Sequence, residues 1–303
     1  MKQLTIFLLF IVLGFNHCTG QKYGHSWEDI NYAGDSLVSH RMDIYLPEIS
    51  QVSYPVVMII YGSAFFGNDM KKRAFDAIGE PLINSGFAVV TVNHRSSRDA
   101  IFPAQIQDIK AAIRFIRANG QKYQIDTSFF GITGYSSGGH LSALAGTSGS
   151  VHLMKINSES AQIEGSVGSY PNYSSSVDAV VDWFGPTDFQ SMDSCGSTMV
   201  HDAPDSPESI LIGAPIQDND ELCALTNPMS YIDPEDPPFL ILHGDNDPLV
   251  PHCQSEMLFK ALQNAGVTSH FVLVPEAGHG PGLFEEEYFR MMCDFFLAEY
   301  KKH

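Results

Sequence analysis

Beyond residue 50 the chain alternates between two hydrophobic patterns. Largely apolar runs at 56–60, 87–92, 129–133, 179–184, 239–243 and 271–274 are short and apolar at successive positions. Such runs suit parallel strands buried on both faces by helices. Between them the apolar positions recur at helical steps. Ile106, Ile109, Ile113 and Ile116 share one face of a helix that Pro103 opens as a first-turn residue. Met257, Leu258, Ala261 and Leu262 share another face, with Gly266 placed as its C-terminal cap. Phe289, Met292 and Phe296 mark a last helix. Residues 26–46 are mixed and β-like, with Met42-Asp43-Ile44-Tyr45-Leu46 alternating before Pro47.

Strand and helix alternating over most of the chain predict an α/β fold, a mostly parallel, doubly wound sheet with helices on both faces. The pattern predicts one catalytic domain over residues 21–303, with no internal repeat. Residues 187–238 break the rhythm, being rich in Asp, Ser, Pro and Gly. A stretch this long is an inserted cap, an ordered loop near a site, or a surface excursion without a role.

The first 20 residues read as an export signal. Lys2 precedes an apolar run at 4–15, too short for a membrane span of about 20 residues. Cys18-Thr19-Gly20 offers small residues for cleavage. Release to the periplasm or the outside is the expected outcome. A lipid anchor at Cys18 is the alternative, disfavoured by Asn16 and His17 before it. Four cysteines remain beyond the signal: Cys195, Cys223, Cys253 and Cys293. An even count in an exported chain permits two disulfides, and buried free thiols are the other reading. No C-x-x-C pair is present, so zinc is not expected.

Composition narrows the partners. Apolar residues make up 44% and charged residues 17%, enough to bury a sizeable core. With 35 acidic against 17 basic side chains the formal net charge is −18. That excludes a nucleic-acid partner, whose phosphates need Lys and Arg, and disfavours an anionic membrane surface. No stable membrane insertion is expected once the signal is removed.

The chemistry begins at Gly134-Tyr135-Ser136-Ser137-Gly138, a G-x-S-x-G pattern. Alone it is weak. Here it follows the apolar run 129–133 and precedes Leu141, Ala143, Leu144 and Ala145, giving strand, tight turn and helix. That context makes Ser136 the candidate nucleophile and the Ser137 backbone N–H a candidate oxyanion donor. A structural Gly/Ser turn is the bland alternative. A serine needs a base, and the base an orienting acid. His279 follows the run 271–274 in Gly278-His279-Gly280 and is the candidate base. His270 lies at the wrong end of that strand, His252 reads as a helix-start or surface residue, and His140 as structural. The run 239–243 leads into Gly244-Asp245-Asn246-Asp247-Pro248, where Asp245 and Asp247 compete as the acid. Periodicity does not choose between them. A second oxyanion donor is expected from Ser63 or Ala64, in the small-residue loop after the run 56–60. Phe65 and Phe66 beside it line an acyl pocket or belong to the core.

These motifs together resemble esterases of the α/β-hydrolase superfamily, of the bifunctional carbohydrate and feruloyl esterase (BD-FAE) type, close to acetyl-xylan esterases and the hormone-sensitive-lipase clan. The resemblance spans roughly residues 40–300. Its carriers are Met42-Asp43-Ile44-Tyr45-Leu46-Pro47, Tyr61-Gly62-Ser63-Ala64-Phe65 and Asn93-His94-Arg95. Phe102-Pro103-Ala104-Gln105 with Asp108, residues 134–140, Asp182-Trp183-Phe184-Gly185-Pro186-Thr187-Asp188, residues 243–251 and Gly278-His279-Gly280 complete them. The resemblance implies that Asp247, second of the Asp-x-Asp-Pro loop, is the acid and that Asp245 supports the loop. It implies structural roles for Asp108 and Arg95. It further implies acyl-enzyme hydrolysis of small esters, or of acetyl or hydroxycinnamoyl esters on plant polysaccharide, with no metal or organic cofactor. The chain departs from the pattern at Tyr61-Gly62-Ser63, where relatives usually carry His-Gly-Gly. A serine peptidase of the prolyl-oligopeptidase kind is a second expectation, weakened because the roughly 20 residues between the expected signal and the first strand leave no room for a β-propeller. An inactive binding protein on the same fold is a third, and no triad member is missing to signal it.

Overall fold

The computed structural model describes residues 23–303. The export signal expected at 1–20 lies outside the described residues. Among the described residues ten strands form: β1 His25–Asn31, β2 Arg41–Leu46, β3 Tyr54–Ile60, β4 Ala88–Val92, β5 Ile125–Tyr135, β6 Leu153–Ile156, β7 Glu159–Gln162, β8 Ala179–Trp183, β9 Phe239–Gly244 and β10 Ser269–Val274. Seven α-helices accompany them: α1 Lys71–Asn84, α2 Ala104–Asn119, α3 Ser137–Thr147, α4 Pro207–Ile212, α5 Asp220–Thr226, α6 Cys253–Ala265 and α7 Glu286–Tyr300.

Eight strands make one sheet in the order β1-β2-β4-β3-β5-β8-β9-β10. From β4 to β10 every neighbouring pair is parallel, while β1–β2 and β2–β4 are antiparallel. This is the α/β-hydrolase arrangement. Its parallel part arises because each crossover helix returns the chain in the same direction. The pleat sorts the side chains of β3. Val56, Met58 and Ile60 pack with Ile106, Ile109, Ile113, Leu141 and Leu258 on one face. Val57 and Ile59 pack with Phe75, Ile78, Leu82, Met292 and Phe296 on the other. All five β3 residues from Val56 to Ile60 are fully buried. Two-residue alternation inside a wholly apolar run is what a sheet between two helix layers requires.

Several boundaries differ from the pattern. Pro103 sits one residue before α2, as its N-cap, because the first helical N–H belongs to Ala104. Gly266 does cap α6, with φ 85°. The β6–β7 hairpin was not anticipated, since its residues are mostly exposed and carry little apolar signal. Arg95 and Asp108 pair at 2.7 Å, and His40 approaches the same carboxylate at 3.2 Å, forming an internal polar brace.

Residues 187–238 are not a loose excursion. They carry α4, α5 and 3₁₀ turns at Phe189–Ser191, Ile216–Asp218 and Pro228–Tyr231. Phe189, Met192, Leu211, Ile216, Leu225 and Tyr231 are buried in the core on the α2–α3–α6 face. The segment is also bridged to the start of α6 by a disulfide between Cys195 and Cys253. Cys223 and Cys293 are buried free thiols, so one of the two possible bridges forms. The bridge spans 58 residues, and closing a loop of that length stabilises the folded state by about 4 kcal/mol on the chain-entropy account. The Cys195→Ser/Cys253→Ser double variant is therefore expected to lose about 2–4 kcal/mol in urea denaturation under non-reducing conditions. An unchanged midpoint would show that the bridge contributes nothing.

Candidate active site

The site lies at the carboxyl ends of β5, β9 and β10, where crevices form above open parallel sheets. Ser136 occupies the turn between β5 and α3, with φ 57° and ψ −126°. A non-glycine residue there is strained, and the surroundings hold it in place. Its N–H donates to Trp183 O at 2.9 Å, and its carbonyl accepts the His140 N–H at 3.1 Å to open the helix. The flanking glycines have a steric cause. A Cβ at Gly138 would overlap the Ile60 carbonyl, and one at Gly134 the Gly138 carbonyl.

Three side chains sought in the sequence meet. His279 Nε2 is 2.9 Å from Ser136 Oγ, and His279 Nδ1 is 2.7 Å from Asp247 Oδ2. Asp247 is only 8% exposed. Burial alone would raise its pKa. Hydrogen bonds from His243 and His279 outweigh that and hold the carboxyl well below the usual carboxylate range. Its other oxygen accepts the Leu249 and Val250 N–H groups at 2.9 and 3.0 Å. Asp245 does something else: it is exposed and accepts the Glu276 N–H at 2.7 Å, tying the acid loop to the histidine loop. The charge geometry suits general-base work: a carboxylate at this distance orients an imidazole and favours its protonated form.

The other histidines fall elsewhere. His140 is fully buried, its Nδ1–H donates to Pro186 O at 2.8 Å, and burial pushes its pKa down to about 4. His252 pairs with Glu256 at 3.6 Å on the surface, and His270 is exposed at the opposite end of β10. Among the described residues no group of three or more His, Cys, Asp or Glu side chains is arranged to hold a metal ion.

The loop after β3 lies against the serine turn. Ser63 N–H donates to Ser137 Oγ at 2.9 Å. Ala64 and Phe65 are left-handed, with φ 50° and 64°, whereas Ser63 is not. The serine in place of glycine therefore carries no backbone strain. Its side chain closes the loop by accepting the Gly67 N–H at 3.0 Å. Tyr61, where relatives usually have histidine, is buried, stacks on His94, and donates to Gly67 O at 3.1 Å. Phe65 is core, edge-on to His140, while Phe66 is half-buried beneath the Arg98 guanidinium.

Two contributors escaped sequence reasoning. Phe184, with φ 46°, sets its ring edge-on against His279 at 4.6 Å between centroids. Its only signal was its place in Asp182-Trp183-Phe184-Gly185-Pro186. The second is a clamp on the acid loop. Ser197 Oγ and His201 reach Leu249 O at 2.9 and 3.0 Å, and Thr198 donates twice to Pro248 O.

A family model described as BD-FAE matches residues 42–262. A solved truncated form of a carbohydrate esterase from gut microbiota is 49% identical, covering 92% of this chain and 97% of that one, with a TM-score of 0.89. A bifunctional GH43-CE protein of Bacteroides eggerthii is 52% identical over 90% of this chain and 35% of its own, with a TM-score of 0.87. Esterase LipQ of Mycobacterium tuberculosis is 29% identical over 288 residues, 93% of this chain and 64% of its own length. The chain covers 54% of Esterase LipC from the same organism, so it spans less than two thirds of these curated relatives.

The depressed Asp247 carboxyl has a consequence for stability. Below the ordinary carboxylate value of 3.8 an unfolded chain protonates this group while the folded chain still holds it ionised. Its stabilisation is thus complete well above that value and is lost as pH falls through the folded pKa. Between about pH 5 and pH 3 the native protein is expected to lose ~1 kcal/mol more than Asp247→Asn, measured by urea denaturation. Parallel stability curves would refute the depressed carboxyl.

Proposed function

The chain belongs to the BD-FAE family of α/β-hydrolase esterases, and from that footing we propose that it is an exported serine hydrolase cleaving acetyl or feruloyl esters of plant polysaccharide through an acyl-enzyme. As a carboxylic ester hydrolase it needs an activated nucleophile, a base and an oxyanion site. The observation that carries the assignment is the relay from Asp247 through His279 to Ser136, with links of 2.7 and 2.9 Å.

Ser136 Oγ attacks the ester carbonyl carbon while its proton passes to His279 Nε2. The carbonyl oxygen becomes an oxyanion, held by the Ser137 N–H and a donor from the loop after β3. Asp247 accepts from His279 Nδ1 throughout and stabilises the imidazolium without taking the proton. The tetrahedral adduct collapses, His279 returns the proton to the alkoxy oxygen, and the alcohol leaves. Water then attacks the acyl-Ser136 carbonyl with His279 again as base, releasing the acid and restoring the serine.

Carbohydrate-esterase relatives support the polysaccharide substrates. The apolar run at 4–15 and the Cys195–Cys253 bridge support export to an oxidising compartment. Residues 21–303 serve as one catalytic domain. Residues 187–238 shape substrate access, a role supported by their clamp on the carbonyls of Pro248 and Leu249.

Purified protein is expected to release acetate from acetylated xylan or ferulate from methyl ferulate, and to cleave p-nitrophenyl acetate. Ser136→Ala should lower kcat by about 10⁴-fold or more. Undiminished turnover would overturn the nucleophile. Asp247→Asn is expected to cost about 10³–10⁴-fold in kcat, and Asp245→Asn less than about tenfold. Equal losses in the two variants would overturn the choice of acid.

A further inference from the structure

Ser137 follows the nucleophile, and its side chain has no part in the relay. It is 1% exposed, yet its hydroxyl oxygen lies 2.9 Å from the Ser63 nitrogen and accepts that N–H. The bond runs between α3 and the loop after β3, across 74 positions of sequence. It joins the two backbone segments from which an oxyanion site is built.

The bond also divides the donors. One N–H makes one strong hydrogen bond along its axis. That of Ser63 points at Ser137 Oγ. The next N–H, that of Ala64, carries no hydrogen bond among the described residues. Ala64 is exposed, in the left-handed region at φ 50°. The Ser137 N–H opens α3, where helix geometry leaves it without an intrahelical acceptor and at the positive end of the dipole. The rest of the loop is tied to itself. Gly67 N–H donates to Ser63 Oγ at 3.0 Å, Phe66 N–H to Ser63 O at 3.0 Å, and Tyr61 OH to Gly67 O at 3.1 Å. The tie at Ser137 Oγ is what registers this closed loop against the nucleophile turn.

Resting on the assignment of Ser136 as nucleophile, we propose that the Ser137 hydroxyl is a positioning residue: it holds the Ser63 N–H away from the substrate and sets the Ala64 N–H, with the Ser137 N–H, as the oxyanion donors. Two serines act in series. Ser63 closes the loop through its side chain, and Ser137 anchors that loop through Ser63's backbone.

The test uses the Ser137→Ala variant of the full chain, with p-nitrophenyl acetate as substrate and phenylboronic acid as a tetrahedral adduct of Ser136. Removing the hydroxyl deletes one neutral hydrogen bond and loosens the donor. The expected result is a kcat lowered by about threefold to tenfold, with KM within about twofold. The boronate inhibition constant should rise by the same factor as kcat falls, because both read the oxyanion donors. An unchanged or higher kcat, or a lowered kcat with unchanged boronate affinity, overturns the proposal. Ser136→Ala separates the two levels: activity persisting there removes the nucleophile assignment itself, whereas an inactive Ser136→Ala beside an unaffected Ser137→Ala removes only the positioning role.

Discussion

The approach of the β5–α3 turn to the end of β3 is the constraint on which the site depends. The Ile60 carbonyl comes so near that only hydrogen fits at the α-carbon of Gly138, and the Gly138 carbonyl leaves only hydrogen at Gly134. With these two flanking positions reduced to backbone, the chain reverses within a few residues and Ser136 is held at φ 57°. That conformation is costly for a serine in isolation. It persists because β5, buried from Phe129 to Gly134, lies between β3 and β8, and because Ser136 N–H is anchored to the Trp183 carbonyl at the end of β8. The same proximity brings Ser137 Oγ within reach of Ser63. One steric fact thus presents the hydroxyl, starts the helix and docks the donor loop.

The acid arm is built on a different principle. Asp247 lies in a loop, and loops are mobile unless their polar backbone is satisfied. Here the N–H groups of Leu249 and Val250 turn inward to the carboxylate, while the carbonyls of Pro248 and Leu249 turn outward to Ser197, Thr198 and His201. Val250 O takes the remaining contact from His243 at 2.8 Å. The Cys195–Cys253 bridge ties the same segment to the start of α6. A segment read from its composition as a possible excursion is therefore the outer wall of the acid loop. Its Ser, Thr and Asp content reflects that task, since short polar side chains are suited to bonding nearby backbone.

Much of this was legible in the chain. The core strands follow the apolar runs to within a few residues, because burial on both faces leaves a continuous hydrophobic signature. The late Gly-His-Gly and the Asp-x-Asp-Pro loop were visible because each directly follows such a run. The β6–β7 hairpin and the fold of residues 187–238 were not. Their stability comes from contacts far along the chain, and their own periodicity is weak.

Local patterning determined the alternating α/β architecture, the strained serine turn and the short set of acids and bases able to serve it. These are properties of neighbours in sequence: period, glycine placement and strand-to-loop transitions. Tertiary structure decided the rest. It gave Asp247 rather than Asp245 the contact with His279, laid Phe184 against that imidazole, joined Cys195 to Cys253, and spent the Ser63 N–H on Ser137. Each of those outcomes depends on bringing groups remote in sequence into direct contact, and no local pattern encodes such contacts.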